Sequence, residues 1–185
     1  MSRAVIALGA NLGATGQTLR DAAAEIAALP GVRVVAASHE VESVALTLDG
    51  RDEHKPRYRN GIVIVETALE PRPLLELLHR IENAHGRVRV ERWGDRTLDL
   101  DIVAVDDRID SDPVVTLPHP RAAERDFVLA PWLDADPEAF LPGVGPVAEV
   151  LAAVGDQTVR VPGLRLVEPE AGVVPATTPS AEGRA

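Results

Sequence analysis

Hydrophobic and polar positions along the chain fall into blocks with two different periods. Arg3 to Leu8 is an apolar β-type run that ends in Gly9-Ala10-Asn11-Leu12-Gly13, where the glycines predict a tight turn. From Gln17 to Leu29 the residues Leu19, Ala22, Ala23, Ile26, Ala27 and Leu29 recur at helical spacing, with Thr15 as the expected N-cap and Pro30-Gly31 as the stop. Val32 to Ala37 predicts a second strand, and the polar stretch Leu48 to Arg57 predicts a mobile loop. Tyr58 to Glu66 then alternates: Ile62 and Ile64 share a face with Tyr58, Asn60 and Glu66, while Val63 and Val65 take the other. Pro71 to Ala84 carries the most regular helical stripe, Leu74, Leu75, Leu77, Leu78 and Ile81, with Gly86 at a C-cap position.

Arg87 to Arg96 has no period and predicts a loop, followed by a fourth strand over Leu98 to Val105. Val114 to Leu117 fits a short strand before Pro118-His119-Pro120. Phe127 to Leu133 and Val147 to Val154 fit short helices or buried segments, and Gln157 to Val167 a final hairpin. The expected unit is one domain over residues 1–167. A tail over 168–185, rich in Pro, Ala, Thr and Gly, has no core-forming pattern and is expected to be disordered.

Composition narrows the chemistry. A chain of 185 residues with 45% hydrophobic content can bury one continuous core. The absence of cysteine excludes a disulfide scaffold, a zinc ribbon, an iron-sulfur site and a thiol nucleophile. No apolar run is long enough for a membrane span, and the Met1-Ser2-Arg3 start lacks an export signal, so a cytoplasmic protein without membrane contact is expected. A net charge of −10 argues against a nucleic-acid partner held by phosphate neutralisation and for small molecules. Only Lys55 is a lysine; every other basic residue is arginine, which grips flat oxyanions bidentately but makes a poor covalent nucleophile.

The densest chemistry lies in Arg92-Trp93-Gly94-Asp95-Arg96-Thr97-Leu98-Asp99-Leu100-Asp101-Ile102. On a strand, Asp99 and Asp101 project side by side, and like charges at that spacing repel unless a cation lies between them or one is protonated. Magnesium, which prefers oxygen ligands and usually takes one or two carboxylates plus substrate phosphates, would resolve the conflict. A solvated strand face with two ordinary aspartates is the plainer reading of such a short pattern. The neighbourhood bears on the choice: from Arg80 to Arg96, five arginines (Arg80, Arg87, Arg89, Arg92, Arg96) stand against three acidic residues (Glu82, Glu91, Asp95) in an otherwise acidic chain. Cations beside a metal–carboxylate site suit a polyphosphate. His119, Arg121 and Arg125 form a second basic cluster. Tyr58 and Phe127 are candidates for stacking a flat heterocycle, although core packing accounts for them equally well. No P-loop motif, G-x-G-x-x-G loop, nucleophile elbow or H-x-x-x-H pair occurs.

Taken in order, Gly9 to Gly13, Tyr58-Arg59-Asn60, Gly86-Arg87-Val88-Arg89, Arg92 to Asp101, Leu117-Pro118-His119-Pro120 and Arg125-Asp126-Phe127-Val128-Leu129 resemble the 6-hydroxymethyl-7,8-dihydropterin pyrophosphokinase family of folate biosynthesis, over about residues 3 to 165. The resemblance implies a monomeric α+β enzyme of ferredoxin-like type, a mostly antiparallel sheet flanked by helices, that moves the β,γ-pyrophosphoryl group of ATP to the pterin hydroxymethyl oxygen and releases AMP. It implies that Asp99 and Asp101 hold two Mg²⁺ ions. Arg87, Arg96, His119 and Arg125 would contact the triphosphate. Arg89, Arg92 and Trp93 would belong to a mobile loop closing over ATP, and Thr116 and the Ile102 backbone would meet adenosine. Glu82 and His79 fall on the helix lining the nucleotide side, His79 where related enzymes often carry glutamine. Tyr58 and Phe127 would sandwich the pterin while Asn60 reads its edge, with Ser43 and Val44 on the same side.

Two positions depart from the family pattern. Its usual Y-x-T-x-P-x-G is here Val41-Glu42-Ser43-Val44-Ala45-Leu46, without Pro or Gly, and Asp95 stands where a proline is common. A non-catalytic pterin- or nucleotide-binding homologue and a different D-x-D transferase are the alternative expectations.

Overall fold

The computed structural model describes residues 1–47, 50–86, 97–163 and 165–168. The chain opens with β1 (Ser2–Ala10), α1 (Thr15–Ala27), β2 (Val32–Ala37) and β3 (Val41–Ser43). A hairpin of β4 (Ala45–Thr47) and β5 (Gly50–Asp52) follows, then β6 (Tyr58–Thr67), α2 (Pro71–Ala84) and β7 (Asp99–Val105). The remainder comprises β8 (Asp110–Ser111), β9 (Thr116–Leu117), α3 (Asp126–Ala135), β10 (Phe140–Leu141), β11 (Gly145–Pro146), α4 (Val147–Val154) and β12 (Val159–Arg160).

The main sheet runs β7-β1-β6, with β2 and β3 sharing the far side of β6, and every pairing in it is antiparallel. β1 and β2 are therefore parallel to each other with β6 between them and α1 as the crossover, the ferredoxin-like arrangement expected. Period two divides the sheet into two faces. Ile6, Leu8, Val63, Val65, Leu98, Leu100 and Ile102 pack under Leu19, Ile26, Leu74, Leu78 and Ile81 of α1 and α2. On the other face Val5, Ile62, Ile64 and Val103 meet Val128, Leu129 and Trp132 of α3 and Val147 of α4. The alternation read from Tyr58 to Glu66 is the division the fold uses.

Three expectations are corrected. α1 begins at Thr15, so the N-cap position falls on Ala14, whose methyl side chain cannot cap it; the Thr15 N–H meets the Gly13 carbonyl at 3.0 Å. Leu48 to Arg57 is not simply a loop: β5 within it pairs Asp52 with Ala45 and Arg51 with Leu46 of β4, while Leu48 and Asp49 lie outside the described residues. Among the described residues the last segment makes no hairpin of its own; β12 pairs Val159 with Glu42 and Arg160 with Val41 of β3. Beyond it Leu166 is buried against Gly61, where a Cβ would come within 2.5 Å of the leucine Cδ1. The expected tail from residue 168 lies, apart from Glu168 itself, outside the described residues.

Asp134 of α3 ties that terminal strap to the sheet. It accepts the His39 N–H at 2.7 Å and the His39 ring at 2.8 Å, and Arg160 Nη2 lies 3.2 Å away. Burial pushes its pKa up, but the His39 N–H and ring together with the Arg160 charge outweigh that and hold it below the usual aspartate value. A depressed carboxylate stabilises the fold fully above its unfolded value of about 3.9 and loses that contribution as pH falls through the folded value. Asp134→Asn is expected to lower the unfolding free energy at pH 7 by about 1–3 kcal/mol. In chemical denaturation from pH 7 to pH 3, the gap between wild type and variant should narrow only below about pH 4.

Candidate functional site

The antiparallel register builds a row of polar groups across the α3 side of the sheet. Asp99 of β7 lies opposite Gly9 of β1, and Gly9 lies opposite Asn60 of β6; in the next row of that face Asp101 is opposite Ala7. Neighbouring strands are about 4.8 Å apart, which puts Asp99 and Asn60 about 10 Å from each other with only a glycine between them. Gly9 keeps that floor clear: a Cβ there would sit 3.1 Å from Asn60 Oδ1. Asn60 is buried and oriented by Nδ2, which donates to Ser43 Oγ at 2.9 Å, leaving its carbonyl oxygen over Gly9. Tyr58 is half-buried, pairs with Ser43 across β3–β6 and shares this face. Val44, also half-buried, links β3 to the β4–β5 hairpin.

At the β7 end, the Asp101 side chain keeps 40% of its surface exposed, so its carboxylate is within reach of a ligand. His119 stands beside it, with Nε2 at 4.0 Å from Asp101 Oδ2. The ring is held from behind. Its backbone N–H donates to the Val103 carbonyl at 2.7 Å, and its Nδ1 accepts the Arg121 N–H at 3.2 Å, so a neutral ring carries its proton on Nε2 toward the carboxylates. Burial lowers its pKa; Asp101 and Asp99 raise it and Arg125 lowers it, and the balance falls below the usual histidine value. The group is therefore a neutral N–H donor near pH 7. Arg125, just before α3, lies over the Phe127 ring with its guanidinium carbon 5.7 Å from the centroid.

Other candidates occupy different surroundings. Glu82 is fully buried between α2 and β7, where Oε1 accepts the Leu100 N–H at 2.8 Å. That bond holds the residue between Asp99 and Asp101 from the outer edge of the strand. The Ile102 side chain is buried in the α1–α2 core, and His79 is half-buried on α2. Thr116 of β9 donates its hydroxyl to the Asp112 carbonyl at 3.0 Å. Arg87, Arg89, Arg92, Trp93 and Arg96 lie outside the described residues. The structure thus gathers Asp99, Asp101, His119, Arg125, Phe127, Asn60, Ser43 and Tyr58 on the α3 side of the sheet.

Among the described residues, no group of three or more histidine or carboxylate side chains converges as a closed metal cage. The chain offers two carboxylates on one strand face. That donor set fits magnesium, which keeps coordination positions for phosphate oxygens and water. Sequence reasoning missed two contributors. Gly9 was legible only as part of a turn, although it lies inside β1. Asp126, fully buried at the start of α3, stands out in the sequence only as a position within Arg125-Asp126-Phe127-Val128-Leu129.

Comparison with known proteins bears on this geometry. A family model described as 7,8-dihydro-6-hydroxymethylpterin-pyrophosphokinase matches residues 5–137. A 2-amino-4-hydroxy-6-hydroxymethyldihydropteridine pyrophosphokinase of Methylorubrum extorquens is 39% identical over 143 residues, covering 77% of this chain and 88% of the relative. One of the same description from Haemophilus influenzae is 36% identical over 156 residues, covering 84% and 95%. Among solved structures, wild-type Plasmodium falciparum HPPK-DHPS with pteroate superposes with a TM-score of 0.66 at 12% identity, covering 86% of this chain and 47% of that one. This chain spans just under half of that protein, and at such identity the likeness shows the fold alone.

The Glu82–Leu100 bond has a measurable consequence. Glu82→Ala leaves a buried strand N–H without its acceptor and should lower the unfolding free energy by about 1–3 kcal/mol, read as a fall in the urea midpoint at unchanged slope.

Proposed function

We infer the reaction of this chain from its kinship: it belongs to the 7,8-dihydro-6-hydroxymethylpterin-pyrophosphokinase family. It is an enzyme of folate biosynthesis that uses ATP to transfer pyrophosphate to the hydroxymethyl group of 6-hydroxymethyl-7,8-dihydropterin, releasing AMP. The observation that supports its mechanism is the row in which Asp99, Gly9 and Asn60 lie side by side, an acidic end suited to a cation and an amide end suited to a heterocycle on one sheet face.

Transfer at the β-phosphorus requires the attacking hydroxyl in line with the departing α-phosphate oxygen, so the protein's task is positioning and charge neutralisation. Asn60 Oδ1 over Gly9 accepts a hydrogen bond from the pterin's edge, and Tyr58 and Phe127 stack its faces. Ser43 holds the Asn60 amide in that orientation, with Val44 on the same side. His119 donates its Nε2–H to the triphosphate, and Arg125 adds positive charge beside it. Asp99 and Asp101 would hold two magnesium ions, which would offset the charge on the phosphate oxygens. Thr116, the Ile102 backbone, His79 and Glu82 belong to the nucleotide side, Glu82 through the backbone of β7. Arg87 and Arg96 are assigned to the triphosphate, and Arg89, Arg92 and Trp93 to ATP, on sequence resemblance alone. The catalytic unit is residues 1–167, acting as a cytoplasmic monomer on small molecules; no helix among the described residues is long and apolar enough to cross a membrane.

With ATP, magnesium and the hydroxymethyl dihydropterin, the purified protein is expected to form AMP, resolved from ADP by chromatography. ADP formation, or no turnover, would falsify the reading. Asp99→Ala and Asp101→Ala are each expected to lower kcat by about a thousandfold or more, on the order of 4 kcal/mol in barrier, at nearly unchanged thermal stability. Rates that stay the same would remove the carboxylates from metal binding.

A further inference from the structure

Asp126, the first residue of α3, is fully buried, and its carboxylate joins three stretches of chain far apart in sequence. Oδ1 accepts the N–H of the adjoining Phe127 at 2.9 Å. Oδ2 accepts Arg51 Nη2 from β5 at 2.8 Å and the Gln157 N–H at 3.0 Å, two residues before β12. Gln157 and β12 come from the C-terminal part of the chain, and Arg51 lies shortly after the segment that departs from the family's Pro/Gly pattern.

The junction touches both walls of the surface assigned to the pterin. On one side the β4–β5 hairpin leads directly out of β3, whose Ser43 pairs with Tyr58 and orients Asn60; β12, reached from Gln157, is bonded to that same β3. On the other side Asp126 immediately precedes Phe127. A buried carboxylate with charge-assisted and backbone donors permits little displacement, because any donor that leaves exposes the charge to an unpaired, low-dielectric state. Asp99, Asp101 and His119 are anchored independently, through β7 on β1, the Glu82–Leu100 bond and the His119–Val103 bond, whereas Arg125 adjoins Asp126 and moves with it.

We propose that Asp126, clamped by Arg51 and Gln157, is a positioning residue that sets the spacing between Phe127 and the Tyr58–Asn60 wall, and so the affinity for the pterin. This rests on the reaction assigned above. The clamp replaces rigidity that Pro and Gly would otherwise bring to the segment after β3. It also makes the C-terminal segment at Gln157 part of the substrate site.

The test uses the full chain. Wild type, Arg51→Met, Arg51→Lys and Asp126→Asn are titrated with a non-hydrolysable ATP analogue and magnesium, then with hydroxymethyl dihydropterin, alongside thermal unfolding. Arg51→Met and Asp126→Asn should weaken pterin binding at least tenfold and analogue binding by a clearly smaller factor, through Arg125 alone, and Arg51→Lys should recover most of the loss. Arg51→Met leaves Asp126 both of its backbone donors, so it reports even if Asp126→Asn does not fold. Unchanged pterin affinity, or pterin and analogue weakened in parallel with falling stability, overturns the clamp. A wild-type protein that binds no pterin overturns the assigned reaction itself, and the clamp with it.

Discussion

The register of β1 between β6 and β7 is the constraint on which the site depends. Because side chains alternate strictly along a strand, pairing Gly9 with both Asp99 and Asn60 places carboxylates and amide on one face and Leu8, Leu100 and Val63 on the other. A slip of one residue in β7 would drive both aspartates into the core under α1 and α2 and turn Leu98, Leu100 and Ile102 outward. Burial of those side chains therefore determines where the acids point. The hydrophobic effect, directionless in itself, aims two charges through the pleat.

The two faces of the sheet have different tasks. The face under α1 and α2 is closed, and Glu82, buried between α2 and β7, serves a backbone N–H of the edge strand. The other face is covered by α3 and α4 over Ile62, Ile64 and Val103, yet stays accessible at the end carrying Asp101, His119 and Tyr58. Rigid packing over half of a surface and access over the rest is how a fold holds polar groups in place without sealing them off.

Charge follows the same local logic. A protein of net charge −10 that handles a polyanion would repel its substrate at long range. Salt limits that repulsion to about 8–10 Å. Within that radius of Asp101 the structure places Nε2 of His119, whose pKa burial and the nearby Arg125 charge push below the usual histidine value against the pull of Asp101 and Asp99. Holding the imidazole neutral also means that it donates one proton in a fixed direction.

Much of this was legible from residue order alone. The alternation in β6, the stripe of α2 and the D-x-D of β7 are local patterns, because each element buries its own residues at its own period, and the motif series pointed to the family. Other features were not legible. β3 has three residues, β12 has two, and the β4–β5 hairpin sits in a polar stretch; none is long enough for a period to emerge. The Asn60–Ser43 bond, the Glu82 contact with Leu100 and the union of Arg51, Asp126 and Gln157 link residues many positions apart. Hydrophobic period is a property of neighbours along the chain and so is written in the sequence, whereas which buried carboxylate meets which donor is settled only when the sheet and α3 close on each other and water leaves.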